Sequence, residues 1–236
     1  TGVPAGETTS TSVDLVIDAE SGARVECKLD DGAFVACPAP VVFNSLEDGE
    51  HTLSVRAVDA QGNRDATPAT RTWRVYTGPV TTTFSSGPAT FTQARTATFA
   101  FANTYPDATF TCKLDDETPA PCSSGQAYAD LGDGLHRLQV VATSGGRTEA
   151  PPATYAWTVD NAAPTSAILT GPAPAHASAD AELTFNSEAG ATLQCQVDGG
   201  TFADCASPYA VTGLGEGPHT VAVRAIDQAG NVEGTP

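Results

Sequence analysis

The chain has 236 residues, a formal net charge of −17 and only two lysines, Lys28 and Lys113. Gripping a nucleic-acid backbone takes clustered Lys and Arg, and docking on an anionic membrane takes a basic face, so both classes are excluded. No apolar run is long enough to span a bilayer, and with no methionine anywhere the sequence reads as a mature or excised segment.

In chain order the predicted elements are short strands. Alternation over "VDLVI" marks a strand at 13–17, followed by a run that ends on Cys27, a tight "LDDG" turn, and a return strand carrying Cys37. "VVFNSL" is the next strand, then "HTLSVRAVD" from His51, and "TRTWRV" closes the set. The order then repeats with "TATFAF", Cys112, Cys122, "HRLQVVATS" and "TYAWTV", and again with "AELTF", Cys195, Cys205 and "HTVAVRAID". No window of a dozen residues carries helical spacing.

The repeat is internal and close. "ARVECKLDDGAFVAC", "ATFTCKLDDETPAPC" and "ATLQCQVDGGTFADC" align without gaps, and fourteen residues after each second Cys stands a His: His51, His136 and His219. Successive first cysteines lie 85 and 83 residues apart, so the repeating unit is a whole small domain. Seven short strands in a unit of that size predict an all-β fold of three tandem immunoglobulin/fibronectin-III-like sandwiches over 1–78, 79–162 and 163–236. The even cysteine count at constant spacing points to disulfides and an oxidising compartment, whereas zinc prefers closer pairs. A bridge within one hairpin closes a short loop and adds about 2.5–3 kcal/mol to a sandwich with a marginal core.

These motifs, with Leu-x-x-Gly-x-His, "VRAVDAQGN" and the Trp-x-Val-Asp-x-x-x-Pro of "WTVDNAAP", resemble the bacterial Ig-like repeats of large secreted and cell-surface proteins. The resemblance covers the whole chain three times, with "TSGGR" in the second copy departing from the Asp-x-x-Gly-Asn pattern. It implies an extracellular or surface location and neighbouring modules as partners, in the same or an adjacent chain. Such repeats occur in adhesins, stalks, motility-associated surface proteins and enzyme appendages.

Three kinds of side chain compete for a functional reading. The His residues sit in separate copies and cannot form one catalytic cluster; each opens a strand where related sandwiches place a corner Tyr, and an imidazole nitrogen can bond the corner backbone in its stead. Trp73 and Trp157 suit a core strand better than a sugar platform. Acidic pairs such as Asp30/Asp31 and Asp115/Asp116 serve turn geometry. No catalytic fingerprint is present. One polar constellation is sharper: the turn "DQAGN" (Asp227, Asn231) should face the linker "VDNAAP" (Asp160, Asn161), while the earlier junction has "TSGGR" against "VYTGP". That set fits a self-bonded turn, a hydrogen-bonded clasp, or a Ca²⁺ site of oxygen ligands.

The expected role is a non-catalytic structural segment: stalk, spacer or filament body. The alternative is adhesion to a glycan or protein surface ligand through loops such as "FANTYPDA", where the copies differ most. Aligning Gly2 with Gly87 and Pro236 with Pro68 leaves the first copy without its opening strand and the last without its closing one. Either the sequence is a window on a longer array, or a neighbour donates the strand.

Overall fold

The architecture is that of a computed structural model, which describes residues 6–37 and 40–236; the alignment point Gly2 lies outside them. Among the described residues every regular element is a strand, and the strands build three sandwiches. The first holds β1 (Gly6–Thr8), β2 (Val13–Leu15), β3 (Arg24–Leu29), β4 (Val35–Ala36), β5 (Val41–Phe43), β6 (Gly49–Val58) and β7 (Ala69–Val75). The second holds β8 (Thr82–Ser86), β9 (Phe91–Thr92), β10 (Ala97–Asn103), β11 (Thr109–Leu114), β12 (Ala120–Cys122), β13 (Gln126–Tyr128), β14 (Gly134–Ser144), β15 (Arg147–Thr148) and β16 (Ala153–Val159). The third holds β17 (Ser166–Thr170), β18 (Ala181–Ser187), β19 (Thr192–Val197), β20 (Ala203–Cys205), β21 (Tyr209–Val211) and β22 (Val221–Ile226).

The chain forms two compact units. One comprises Thr1–Thr82, Asn103–Phe110 and Val141–Pro152; the other comprises Thr83–Ala102, Thr111–Val140 and Ala153–Pro236. The first sandwich lies in the first unit and the third sandwich in the second, while the second sandwich contributes residues to both.

In each sandwich, period-two alternation sends one face of the strand into the core. Val13 and Leu15 point inward from β2, as do Ala97, Phe99 and Phe101 from β10 and Ala181, Leu183 and Phe185 from β18. Trp73 and Trp157 are 1% exposed and sit at the centre of their cores, each contributing on the order of 3 kcal/mol of burial. The sheet orders are β1-β7-β6-β3-β4 with β2-β5, then β12-β11-β14-β16-β9 with β13-β10-β8, then β20-β19-β22 with β17-β18-β21.

The opening strand of a complete copy is divided between the two sheets, which the sequence reading treated as one strand. β8 lies in the sheet of β10, and β9 then crosses to pair in parallel with β16. The break falls at Gly87, where a Cβ would sit 2.6 Å from the Tyr155 ring; the Tyr155 hydroxyl donates to the Pro88 carbonyl across 2.7 Å. In the first sandwich the second half is present as β1, parallel to β7, and no described residue pairs the free edge of β2. In the third sandwich no described strand pairs the outer edge of β22. The two absences there go together: without a closing strand there is no parallel partner for a β9 equivalent, and residues 171–180 form no strand.

Candidate functional site: corners and joints

The corner is built from two turns that meet. At the tip of each cysteine hairpin an Asp takes a left-handed backbone: Asp30, Asp115 and Asp198 have φ of 50°, 48° and 49°. Few side chains tolerate that region, and Asp is one of them. One carboxylate oxygen accepts the backbone N–H of Thr52, Arg137 or Thr220 at 2.7, 2.7 and 2.8 Å. The other meets Nδ1 of His51, His136 or His219 at 2.8, 2.8 and 2.7 Å. The opposite ring nitrogen, Nε2, faces the carbonyl of Glu47, Gly132 or Gly215 at 2.9, 2.8 and 3.0 Å.

Both ring nitrogens therefore face acceptors, which only the doubly protonated imidazolium satisfies. Burial alone would lower the His51 and His136 pKa values, but the carbonyl and carboxylate acceptors outweigh it and raise both. For His219 the Asp198 carboxylate is the leading cause of the rise. His136 stacks on Trp157 at 5.4 Å and 30°, and His51 is tilted toward Trp73 at 5.9 Å and 37°. With both nitrogens committed, none of these rings is free to act as a general base.

Each His thus bonds the carbonyl four residues before it, at the turn into its strand. The Asp partner was not anticipated, although a signal existed: Asp stands 21 residues before the His in all three copies. Beside each corner, a disulfide ties the hairpin: Cys27 to Cys37, Cys112 to Cys122 and Cys195 to Cys205, with Cα–Cα distances of 5.4, 5.7 and 5.7 Å. Each bridge stays within one sheet, with Cys27, Cys112 and Cys195 buried against the core.

The joints are bonded linkers. In the first unit, Asp48 accepts the Thr77 N–H and hydroxyl at 2.6 and 2.7 Å and the Gly78 N–H at 3.3 Å. Those donors, the Thr77 hydroxyl first, hold its carboxyl below the usual range. Arg147 donates to the Tyr76 carbonyl across 3.0 Å and to the Gly78 carbonyl. The Tyr105 hydroxyl bonds the same Gly78 carbonyl at 2.9 Å and Asp48 at 3.1 Å. The Tyr76 hydroxyl donates to Asp107, which also pairs with Arg74 at 3.3 Å. Tyr76 and Tyr105 are buried edge to face with centroids 4.4 Å apart, packed with Val80 and Ala142. "TSGGR" now has a reason: a Cβ on Gly145 would lie 2.7 Å from the Tyr76 ring.

In the second unit the corresponding bond is made by an amide. Asn231, which stands where Arg147 does, donates through Nδ2 to the Asp160 carbonyl across 2.9 Å, as Arg147 does to Tyr76. Asp227 holds Asn231 in place, accepting its backbone N–H at 2.8 Å and its Nδ2 at 2.7 Å. Burial pushes the Asp227 carboxyl up, but these donors outweigh it and leave it lowered. Asn161 bonds Asp133 at 2.9 Å, and the Asp160 carboxylate accepts the Ala162 N–H at 2.9 Å. The Asp160 carbonyl and both Asp227 carboxylate oxygens thus already face N–H donors, forming a turn and a clasp. Among the described residues, no group of three or more His, Cys, Asp or Glu side chains gathers that could hold a metal ion.

A buried carboxylate anchors β8, and another anchors β17. Glu149 accepts the Thr82 N–H and hydroxyl, both at 2.6 Å, and the Ala142 N–H at 3.1 Å. Glu233 accepts the N–H groups of Ser166 at 2.8 Å and Ala225 at 2.9 Å. In the first sandwich the aligned residue is the shorter Asp65, whose carboxylate accepts the N–H and hydroxyl of its neighbour Thr67.

No protein-family model matches the sequence, and a search of curated proteins finds no match. Among solved structures, the chain is similar to the chicken CNTN1 FN1-FN3 domains (12% identity, covering 100% of this chain and 96% of that one, TM-score 0.38). It is similar also to the amphioxus IgVJ-C2 molecule (12% identity, covering 65% and 98%, TM-score 0.41). A third is a tetra-tandem repeat in the extending region of a large adhesion protein (16% identity, covering 94% and 71%, TM-score 0.36). At these scores the likenesses carry no argument, and the sandwich architecture stands on the strand order itself.

Proposed function

We propose that this chain is a non-catalytic structural spacer: a tandem segment of modules 1–78, 79–162 and 163–236 in a stalk or filament body of a secreted or surface-attached bacterial protein. The observation that carries this reading is the fate of the most variable loop. "FANTYPDA" differs between copies, as a ligand-binding loop would, yet its Tyr105 is buried and its Tyr105 and Asp107 side chains bond the linker segment at the first joint. Loop variation here serves the joint. Three disulfides suit an oxidising extracellular setting, and the surplus of negative charge keeps neighbouring segments soluble and mutually repulsive.

Spin labels at Ser21→Cys and Thr148→Cys, on either side of the first joint within the first unit, test the reading by pulsed dipolar spectroscopy. A single narrow distance distribution is expected, and a broad one of the kind flexible linkers give would overturn it. Adhesion is the competing role, and a reproducible hit on a glycan or matrix-protein array would reverse the order.

A further inference from the structure

We propose that the corner His of each of the first two sandwiches is a positioning residue for the linker beyond it. Through the one peptide it bonds, the charged ring holds the Asp that grips the linker, and losing the ring's second proton loosens that grip. The connection is short. His51 meets the Glu47 carbonyl through Nε2 at 2.9 Å, and that carbonyl shares a peptide plane with the Asp48 N–H. The Asp48 carboxylate accepts the Thr77 N–H and hydroxyl and the Gly78 N–H, so the ring's acceptor and the holder of the first joint are consecutive residues. The second sandwich repeats the arrangement. His136 meets the Gly132 carbonyl at 2.8 Å, and the next residue, Asp133, accepts from Asn161 Nδ2 at 2.9 Å. Two unlike linkers are thus reached by the same step. Gly49 and Gly134, at φ of 141° and 133°, turn the chain between each Asp and its His.

The groups facing each ring come from three elements. For His51 they are Asp30 at the tip after β3, Glu47 before β6 through its carbonyl and its charge, and the neutral Trp73 of β7. For His136 they are Asp115, the Gly132 carbonyl and Trp157. Burial opposes the charged ring, but the carbonyl and carboxylate acceptors outweigh it and raise both pKa values. Above the raised value one nitrogen must become an acceptor. The carboxylate keeps the remaining N–H, because a charge-assisted bond is the stronger one, so Nε2 turns a lone pair on the carbonyl and repels it. A carbonyl pushed aside turns its peptide, and with it the Asp that follows. The Asp48 carboxyl is held below its usual range by its donors, the Thr77 hydroxyl first, so its own titration lies well apart from that of the ring. Tyr105 bonds Asp48 at 3.1 Å and Arg95 pairs with Asp133 at 3.0 Å, so each Asp keeps a partner and the joint loosens without coming apart. A raised His contributes fully below about 6.5 and fades as pH rises through the folded value, which makes the joint firmer in acid and looser in alkali. The coupling rests on the spacer reading and adds a control to the same joints.

The test follows the intact 236-residue chain by ¹⁵N NMR from about pH 5.5 to 8.5. The Thr77 and Gly78 amides should shift with the midpoint of the His51 ring, and the Asn161 side-chain amide with the midpoint of His136. Exchange protection at Thr77, taken relative to the intrinsic rate at each pH, should fall by about tenfold across the His51 midpoint, the loss of roughly one charge-assisted bond. His51→Gln should flatten the Thr77 and Gly78 curves and leave Asn161 titrating, and His136→Gln should do the reverse. Should those variants fail to fold, Asp30→Asn decides, lowering the His51 midpoint and carrying the Thr77 midpoint down by the same amount. Linker amides that stay flat over this range, a Thr77 midpoint apart from that of His51, or an inflection that survives His51→Gln would each overturn the coupling. The spacer reading fails separately, through a broad spin-label distribution at every pH.

Discussion

Replacing Asp115 by Asn changes the corner of the second sandwich by one charge and almost no volume. The amide can still accept one bond, from the Arg137 N–H or from His136, but it no longer offers a carboxylate to an imidazolium whose other nitrogen faces the Gly132 carbonyl. A charge-assisted bond exceeds a neutral one by about 1–1.5 kcal/mol. The Asp115 side chain is 37% exposed, so solvent screening brings the expected loss to the lower end, about 1 kcal/mol. The sign follows from His136, whose pKa is raised in the folded state after its acceptors outweigh burial. A raised His stabilises fully below its unfolded value, about 6.5, and that contribution fades as pH rises through the folded value. The D115N loss should therefore be largest near pH 5.5 and shrink toward pH 8.5. Calorimetry at both pH values should show the affected transition lowered by roughly 4–8 °C on the acid side, and an NMR titration should show His136 alone moving toward ordinary His behaviour. An equal loss at both pH values, or a His136 titration that does not move, would refute the charged-corner reasoning.

Other perturbations reach the remaining parts. Glu149→Ala leaves two backbone N–H groups and a hydroxyl without their acceptor, a cost of about 3–5 kcal/mol by denaturant unfolding, whereas Asp65→Ala, on an exposed turn, should stay within about 1 kcal/mol. Arg147→Ala should speed proteolysis or amide exchange at 76–79 while leaving the melting of the third sandwich unchanged, because it frees the Tyr76 carbonyl and leaves the Gly78 carbonyl to Tyr105 alone. Millimolar Ca²⁺ should leave the melting profile unmoved, since the Asp160 carbonyl and both Asp227 oxygens already face donors; a rise in melting temperature that Asp160→Asn or Asp227→Asn abolishes would restore the ion.

What could be read from the sequence was what recurs at constant spacing. Cysteines ten apart, His fourteen further on and period-two runs each mark an element in three independent copies, so chance alignment of one was corrected by the other two. Asp30 was misweighted because an Asp pair at a hairpin tip already has a local explanation in turn geometry; its second job appears only when the interval to His51 is compared between copies. The first joint could not be read at all, since Tyr76, Tyr105, Asp107 and Arg147 meet across up to 71 residues of sequence and occur in one copy only. Glu149 and Glu233 look like surface acids beside Pro until the opening strand brings Thr82 and Ser166 to them.

Whether the bonded linker of the first unit is held as firmly as the strands beside it is measured directly by ¹⁵N relaxation across the first joint. Amides of β3, β6 and β7 and those of 103–110 and 141–152, all within the first unit, should report one common rotational correlation time, with Thr77 and Gly78 as ordered as the strands on either side. Two distinct correlation times, each near that of an isolated sandwich, together with a mobile Thr77–Gly78 segment, would contradict it.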